Sequence, residues 1–275
     1  MVAQKEKIIG PKRSIWEVNL RDIWDYRELL YFLTLRQIKT KYKQTAIGVV
    51  WVVLQPLLTM AIFALIFYRV GNFDTGGIEV YPFLFSTLML WTFFSTTLNS
   101  GSMSLVSNAN MISKIYFPRF LLPLSLALAN LLDYLIAWGV FVFIMIATGE
   151  TFSSGMVFIW VPLMLSFILV NGLTFLFSAM AAKYRDVQYI VPFFTTLLLF
   201  ASPILYPLSA AQDPILRSVM TLNPLAGIMD AQRHFIFGRY MDMSVFASSI
   251  VVSIVVFVIG LLYFKKYERE LADVI

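Results

Sequence analysis

Four cations stand close together just before the first long apolar segment of the chain. They could bind the phosphate of a lipid head group, because each cation near a membrane surface contributes on the order of 1 kcal/mol of attraction to anionic groups. The same charges could instead fix the orientation of the protein in the membrane. Both interpretations stay open for these residues, which are Arg36, Lys39, Lys41 and Lys43.

Other groups capable of chemistry are few. Asp133 in ANLLDYLIAW is the one acid well inside a long apolar segment, where a carboxylate is costly without a partner. No second ionisable group accompanies it there, which favours a buried structural hydrogen bond, with Asn130 as the nearest candidate, over a proton or ion relay. His234 is the only histidine, and its place in a loop favours a surface or interface role over catalysis.

The sequence carries no recognisable enzyme motif. It has no G-x-S-x-G, no H-E-x-x-H and no cysteine, and it has no G-x-x-x-x-G-K-[ST] loop to hold ATP phosphates. Its acidic residues are scattered rather than clustered for a metal ion and a sugar nucleotide. We therefore predict a chain that is not an enzyme, holds no cofactor or metal ion of its own and binds no nucleic acid.

The elements that position these groups are predicted to lie in a membrane. Hydrophobic residues make up 59% of the 275 residues, charged residues 13%, and the mean hydropathy is +0.78. A spanning helix needs about 20 largely apolar residues, and six segments qualify. No N-terminal signal peptide is expected, since the first 43 residues are polar and basic. The predicted spans are 46–70, 81–105, 121–148, 156–182, 189–208 and 244–264.

Charge asymmetry predicts the orientation. An even number of spans puts both termini on one side, and 17 of the 21 Lys and Arg residues fall on that side. The positive-inside rule makes it the cytoplasmic side. The fold class is therefore all-α and polytopic, with a cytoplasmic segment 1–45, a transmembrane domain 46–264 and a cytoplasmic tail 265–275.

The stretch YFLTLRQIKTKYK before the first span predicts an amphipathic helix. An apolar stripe lies beside a basic one, an arrangement typical of a helix lying in the membrane interface. The first span itself contains Gln55 beside Pro56, a polar point that a neighbouring helix or a lumen must accommodate. The apolar stripe consists of Tyr31, Leu35, Ile38 and Tyr42.

The stretch NANMISKIYFPRF lies in the loop between the second and third spans. Asn108 or Ser107 is expected to cap a short helix, which Pro118 is expected to stop. The residues alone leave two interpretations open: a rigid contact element for another protein, or a capped turn that carries positive-inside charges.

Residues 209–243 form an external segment with two helix starts. Asp213 with Pro214, and Asn223 with Pro224, each place an N-cap residue before a proline at the first helical position. We predict two short amphipathic, re-entrant helices that dip into the outer interface or cover what the spans enclose.

Five stretches of the sequence, in this order along the chain, resemble a known family: LRQIKTKYKQTAIGVVWVVLQP, NANMISKIYFPRFLLP, AKYRDVQYIVPF, FASPILYP and LNPLAGIMDAQRHFIFG. Together they resemble the permease subunit of ABC-2 type polysaccharide exporters, which move O-antigen, teichoic acid or capsule chains. The resemblance runs from about Leu20 to the C-terminus. It implies a half-transporter of the bacterial inner membrane that pairs with a second copy of itself and with two copies of an ATPase subunit, which binds the ATP and Mg²⁺.

The resemblance also implies roles for individual residues. The loop 106–120 resembles a coupling helix that contacts the ATPase, and the KYRDVQ loop is a second contact candidate. The implied cargo is a glycan on a polyprenyl pyrophosphate, and aromatic rings along its path could stack on sugars. The implied coupling residues are Ser107, Asn108, Met111, Ile112, Lys114, Ile115, Tyr116, Arg119, Arg185 and Asp186. The channel-lining candidates are Trp51, Phe193, Phe194, Phe200 and Tyr206.

Two alternatives accompany this interpretation. The chain could be an ABC-2 permease for another cargo, such as a drug, lipid or peptide. It could also be a proton-coupled secondary transporter, but such a transporter is expected to use several intramembrane acids and to show inverted repeats.

Overall fold

The computed structural model describes residues 24–43, 49–66, 75–208, 218 and 220–274. The regular elements of this part of the chain are helices, which confirms the predicted all-α class. They are α1 Arg27–Lys43, α2 Val49–Phe63, α3 Val80–Ser102, α4 Ser104–Ser107, α5 Ala109–Ile112, α6 Leu121–Thr148, a 3-10 helix Ser154–Phe158, α7 Trp160–Lys183, α8 Val187–Ala201, α9 Pro224–Phe237 and α10 Met243–Val274.

Among the described residues, three apolar stretches are long enough to cross a membrane: Leu121–Thr148, Ser154–Lys183 and Met243–Glu268. Val50–Ile66 and Val187–Ala201 are shorter apolar helices. The 15 residues of α8 extend about 22 Å at 1.5 Å per residue, less than the ~30 Å of a hydrocarbon core. The six-span topology therefore stays a prediction.

Helix α3 is the centre of the bundle. It packs against α6 and α7 on one side and against α2 and α8 on others, and most of its side chains are buried. Its polar side chains bond to carbonyl groups of the same helix: Ser86 Oγ donates to the Phe83 oxygen at 2.7 Å. A helix covered by protein tolerates hydroxyl groups that a lipid-facing helix would expose.

Helices α7 and α10 cross at two glycines. A Cβ atom on Gly260 would lie 1.9 Å from the carbonyl oxygen of Gly172, so the two backbones touch directly. Helix α10 runs past residue 264, the predicted end of the last span, and includes residues assigned to the cytoplasmic tail. Helix α8 ends at Ala201, seven residues before the predicted end of the fifth span.

The buried side of α1 differs from the predicted apolar stripe. Leu33 is buried in a cluster with Leu121 and Phe264, whereas Tyr31 is exposed. The membrane-facing role of the stripe stays a prediction, while the packing of α1 against α6 buries a different side of the helix, the one that carries Leu33.

Helix α9 confirms one of the two predicted external helix starts. Asn223 Oδ1 accepts a hydrogen bond from the Leu225 amide at 3.0 Å, and Pro224 is the first helical residue. The helix ends at Gly238, whose φ of +71° favours glycine. It packs against α10, α7 and α3 with most of its side chains buried. The other predicted start, Asp213 with Pro214, lies outside the described residues.

Candidate functional site

Asp133 of α6 is bonded to two side chains at the end of α1. It forms an ion pair with Lys41 and accepts a hydrogen bond from the Tyr42 hydroxyl. Lys41 Nζ also donates to Asn130 Oδ1 at 3.3 Å. Asp133 therefore has a hydrogen-bond partner, but that partner is Tyr42 rather than the expected Asn130, which bonds to Lys41, Thr97 and Ser100. The premise that no ionisable group accompanies Asp133 is wrong, because Lys41 comes from a helix 92 residues earlier.

Exposure is unequal within this cluster. The Asp133 side chain is 13% exposed and that of Lys41 is 36% exposed, so the Lys41 side chain stays partly accessible while the Asp133 side chain is largely covered. Burial raises the pKa of the Tyr42 hydroxyl above its ordinary value, and the hydrogen bond to Asp133 raises it further. Tyr42 is thus a protonated donor at neutral pH.

A cleft of about 120 Å³ opens beside the ion pair, between α1, α2, α3 and α6. Gln55 lines this cleft and is exposed, so both expectations for the polar point next to Pro56, a neighbouring helix or a lumen, stay open. The side chains that give the cleft its polar and aromatic character are Lys41, Trp51, Gln55, Thr92, Asn130 and Asp133.

The four predicted head-group cations divide into two kinds. Arg36, Lys39 and Lys43 are exposed, whereas Lys41 is engaged with Asp133. Arg36 Nη1 also lies 3.8 Å from Met111 Sδ. The cation-bearing face of α1 therefore contacts the loop between α3 and α6.

That loop, 106–120, does not form one helix. Asn108 occupies the N-cap position of α5 without capping it. Its Nδ2 instead donates to the Ser104 carbonyl oxygen at 2.9 Å, and Ser107 Oγ donates to the same oxygen at 3.3 Å. The capping prediction is wrong because the end of α4 leaves this carbonyl open to both side chains. Helix α5 ends at Ile112, well before Pro118.

The loop is fixed at its base and exposed at its tip. Its base packs on the cluster that contains Leu33, and the Arg119 amide donates to Glu268 Oε1 of α10 at 2.8 Å. At the tip Tyr116 is 88% exposed, and Lys114 and Ile115 are exposed as well. The half-buried residues at the base are Met111 and Ile112.

The second predicted contact loop is also exposed. Arg185 and Asp186 both lie on the surface between α7 and α8. Asp186 immediately precedes α8 but its side chain makes no capping hydrogen bond. These two side chains are therefore accessible to a partner.

The channel-lining candidates separate by exposure. Trp51, Phe193 and Phe200 are exposed on α2 and α8. Phe194 packs against Phe177, with ring centroids 5.9 Å apart, and Tyr206 packs against the core. The three exposed rings are therefore open to a ligand or a second chain, and their channel role stays a prediction.

Arg233 of α9 is a residue whose importance the sequence reasoning missed. It is one of the four Lys or Arg residues that fall outside the predicted cytoplasmic side, yet it is 4% exposed. Its guanidinium donates to the carbonyl oxygens of Pro203 and Ile204, each at 2.7 Å, and stacks 3.8 Å from the centroid of the Phe83 ring. The spacing of Asp230 and Arg233, one turn apart on an amphipathic helix, was the available signal.

A cavity of about 400 Å³ lies beside Arg233. Burial raises the pKa of the Asp230 carboxyl above its ordinary value, while the Asp242 amide and the charge of Arg233 lower it. His234 contacts the backbone oxygen of Arg239, and its surface or interface role stays a prediction. The charged lining residues are Asp230, Arg233, Arg239 and Asp242.

The fold and these surfaces define an all-helical membrane protein with an exposed polar loop beside its basic first helix. The sequence profile of the ABC-2 type transporters matches residues 28–237. The chain belongs to this family, as the resemblance predicted.

Relatives cover nearly the whole chain. It is 30% identical to the O-antigen export system permease protein RfbA of Myxococcus xanthus over 257 residues, 92% of this chain and 98% of that protein. It is 28% identical to an RfbA of Klebsiella pneumoniae, over 90% of this chain and 95% of that protein. It is 24% identical to the polysialic acid transport protein KpsM of Escherichia coli, over 87% and 93% respectively.

Proposed function

We propose that the chain is the permease subunit of an exporter that moves a lipid-linked, O-antigen-like glycan from the cytoplasm across the inner membrane. The observation that supports this proposal most is the alignment with an O-antigen export permease over 92% of this chain and 98% of that protein. The sequence holds no phosphate loop, which supports a separate ATPase subunit as the source of energy. Six spans, cytoplasmic termini and a pair of permease chains complete the proposed assembly.

Deletion of the gene tests the cargo. Cells without the chain are expected to keep making the lipid-linked glycan but to retain it on the cytoplasmic side, so that the glycan is absent from the cell surface. Surface labelling and analysis of extracted lipids measure the two pools. A surface glycan unchanged by the deletion would rule out this cargo and leave another ABC-2 substrate as the function.

The ion pair at Asp133 supports this function over proton-coupled transport. Asp133 is engaged by two side chains that join α1 to α6, Lys41 and Tyr42, a contact that favours a structural role over a place in a proton relay. Family membership points in the same direction.

We place the ATPase contact at the tip of the loop 106–120. Its apolar side chains are exposed although its base is fixed to α1 and α10, so a push at the tip is transmitted to both helices. The chain has no cysteine, which permits single cysteines at Ile115 and Tyr116. Both should cross-link to the ATPase in an active complex, and a cysteine at Tyr240, 87% exposed on the predicted external side, should not.

The exposed cations of α1 are proposed to gather the substrate's pyrophosphate. The triple change Arg36→Gln, Lys39→Gln and Lys43→Gln keeps helix propensity nearly constant and removes the charge. We expect assembly to persist while export falls. Lys266→Gln, at another exposed cation, is the control. Normal export by a correctly oriented triple variant would show that these charges are orientation anchors only.

A further inference from the structure

Lys41 is held differently from the other cations of α1. One carboxylate, Asp133, binds both Lys41 and Tyr42 and so ties the end of α1 to α6. The carboxylate is largely covered, but about a third of the Lys41 side chain is exposed. The side chain of Lys41 can therefore be approached from the cleft that it lines without prior separation of the helices.

The surroundings of the pair suit a phosphate group. The cleft beside it contains the side-chain amide of Gln55, which can donate hydrogen bonds to phosphate oxygens. Asn130 and Thr92 also line the cleft, but the Asn130 amide donates to Thr97 and Ser100 and the Thr92 hydroxyl donates to the Leu88 carbonyl oxygen. Lys39 and Lys43 are exposed on the same helix. A diphosphate carries more negative charge than one carboxylate and offers more acceptor oxygens, so it can compete with Asp133 for Lys41.

We infer that Asp133 and the diphosphate of a lipid-linked substrate compete for Lys41. The ion pair of Asp133 with Lys41, which we call the latch, holds α1 against α6. The diphosphate opens the latch by replacing Asp133 as the partner of Lys41. The inference rests on the proposed function and adds a regulatory step to it. Displacement frees the end of α1, and α1 contacts the loop 106–120 through Arg36 and Met111. Binding of the substrate would thereby change the position of the loop 106–120, the surface proposed to contact the ATPase.

The latch predicts opposite effects of its two members. Asp133→Asn removes the competitor while keeping the size of the side chain, and binding of a polyprenyl diphosphate should become about fivefold tighter or more, the range typical of coupled sites. Lys41→Gln removes the cation and should weaken binding by a similar factor. Lys266→Gln should bind as the parent chain does. Binding is measured on the permease–ATPase complex in phosphatidylcholine nanodiscs.

Three probes identify the ligand. A glycan-free polyprenyl diphosphate should show these shifts, and polyprenol without phosphate should bind equally to all variants. Inorganic pyrophosphate should bind more weakly than the lipid form. Pyrophosphate binding as tight as that of the lipid would overturn the assignment to a lipid-linked ligand.

If the ion pair is merely structural, Asp133→Asn weakens assembly and leaves the affinity for the diphosphate unchanged. That result overturns the latch. If that variant does not assemble, Lys41→Arg and Lys41→Gln decide instead. The latch requires the arginine variant to keep the affinity and the glutamine variant to lose it, and equal affinities refute it.

Glycan export is assayed separately, so the two proposals can fail independently. Export by the parent complex without the Asp133→Asn binding shift refutes the latch alone. The binding shift without glycan export refutes the proposed cargo alone.

Discussion

Arg233→Lys tests whether the buried guanidinium holds together the end of the bundle at which α9 packs. Arg233 reaches from α9 to the turn that follows α8. There its guanidinium donates to three backbone carbonyl oxygens, those of Pro203 and Ile204 at 2.7 Å and that of Tyr206 at 3.1 Å. Its second terminal nitrogen also donates to Thr87 Oγ1 of α3 at 3.2 Å. Three separate elements therefore depend on one planar group.

The cost of the change can be estimated from these contacts. A lysine ammonium cannot reproduce the fork of the guanidinium, so at least two of the four hydrogen bonds are lost. Hydrogen bonds to charged groups contribute about 1.5–3 kcal/mol each, which gives a loss of about 3–6 kcal/mol. Weaker stacking on Phe83 adds to this loss.

Thermal unfolding of the purified protein measures the effect. At about 2–4 °C per kcal/mol for a chain of this size class, Arg233→Lys should lower Tm by at least about 6 °C. Arg239→Lys is the matched control, because Arg239 is exposed on the same external segment, and it should shift Tm by less than about 2 °C. A Tm for Arg233→Lys within that smaller range would refute the structural role assigned to the buried guanidinium.

Two further predictions concern packing and pH. Gly260→Ala places a methyl group 1.9 Å from the Gly172 oxygen and should destabilise by about 3 kcal/mol or more, whereas Gly139→Ala, with open space around it, should not lower Tm; equal Tm values would contradict the tight crossing. Burial raises the pKa of Asp230 above 3.8, so wild-type stability should fall as pH rises from about 4 through the raised pKa, and Asp230→Asn should abolish that fall. Parallel Tm curves for the two proteins would contradict this assignment.

Local features were predictable from the sequence. Asn223 and Pro224 mark a helix start because capping depends on residues a few positions apart, and the structure has that cap. The all-α class followed from apolar segment length in the same way.

Contacts between distant segments were not predictable by these means. The pairing of Lys41 with Asp133 joins positions 92 residues apart, and neither residue carries a local signal of the other. The failed cap at Asn108 has a similar origin, because the competing acceptor, the Ser104 carbonyl, depends on where α4 ends. The burial of the Arg233 side chain depends on how α9 packs against α3, and the amphipathic periodicity of α9 alone does not specify that packing.

Reconstituted transport tests the central claim most directly. The chain and its ATPase are placed in proteoliposomes with the lipid-linked glycan initially on the outer, ATPase-exposed leaflet, and protection of the glycan from an added glycosidase is measured over time. The account predicts protection that requires ATP, the ATPase and this chain together. Glycan that stays accessible despite ATP hydrolysis, or that becomes protected with a proton gradient and no ATP, would contradict it.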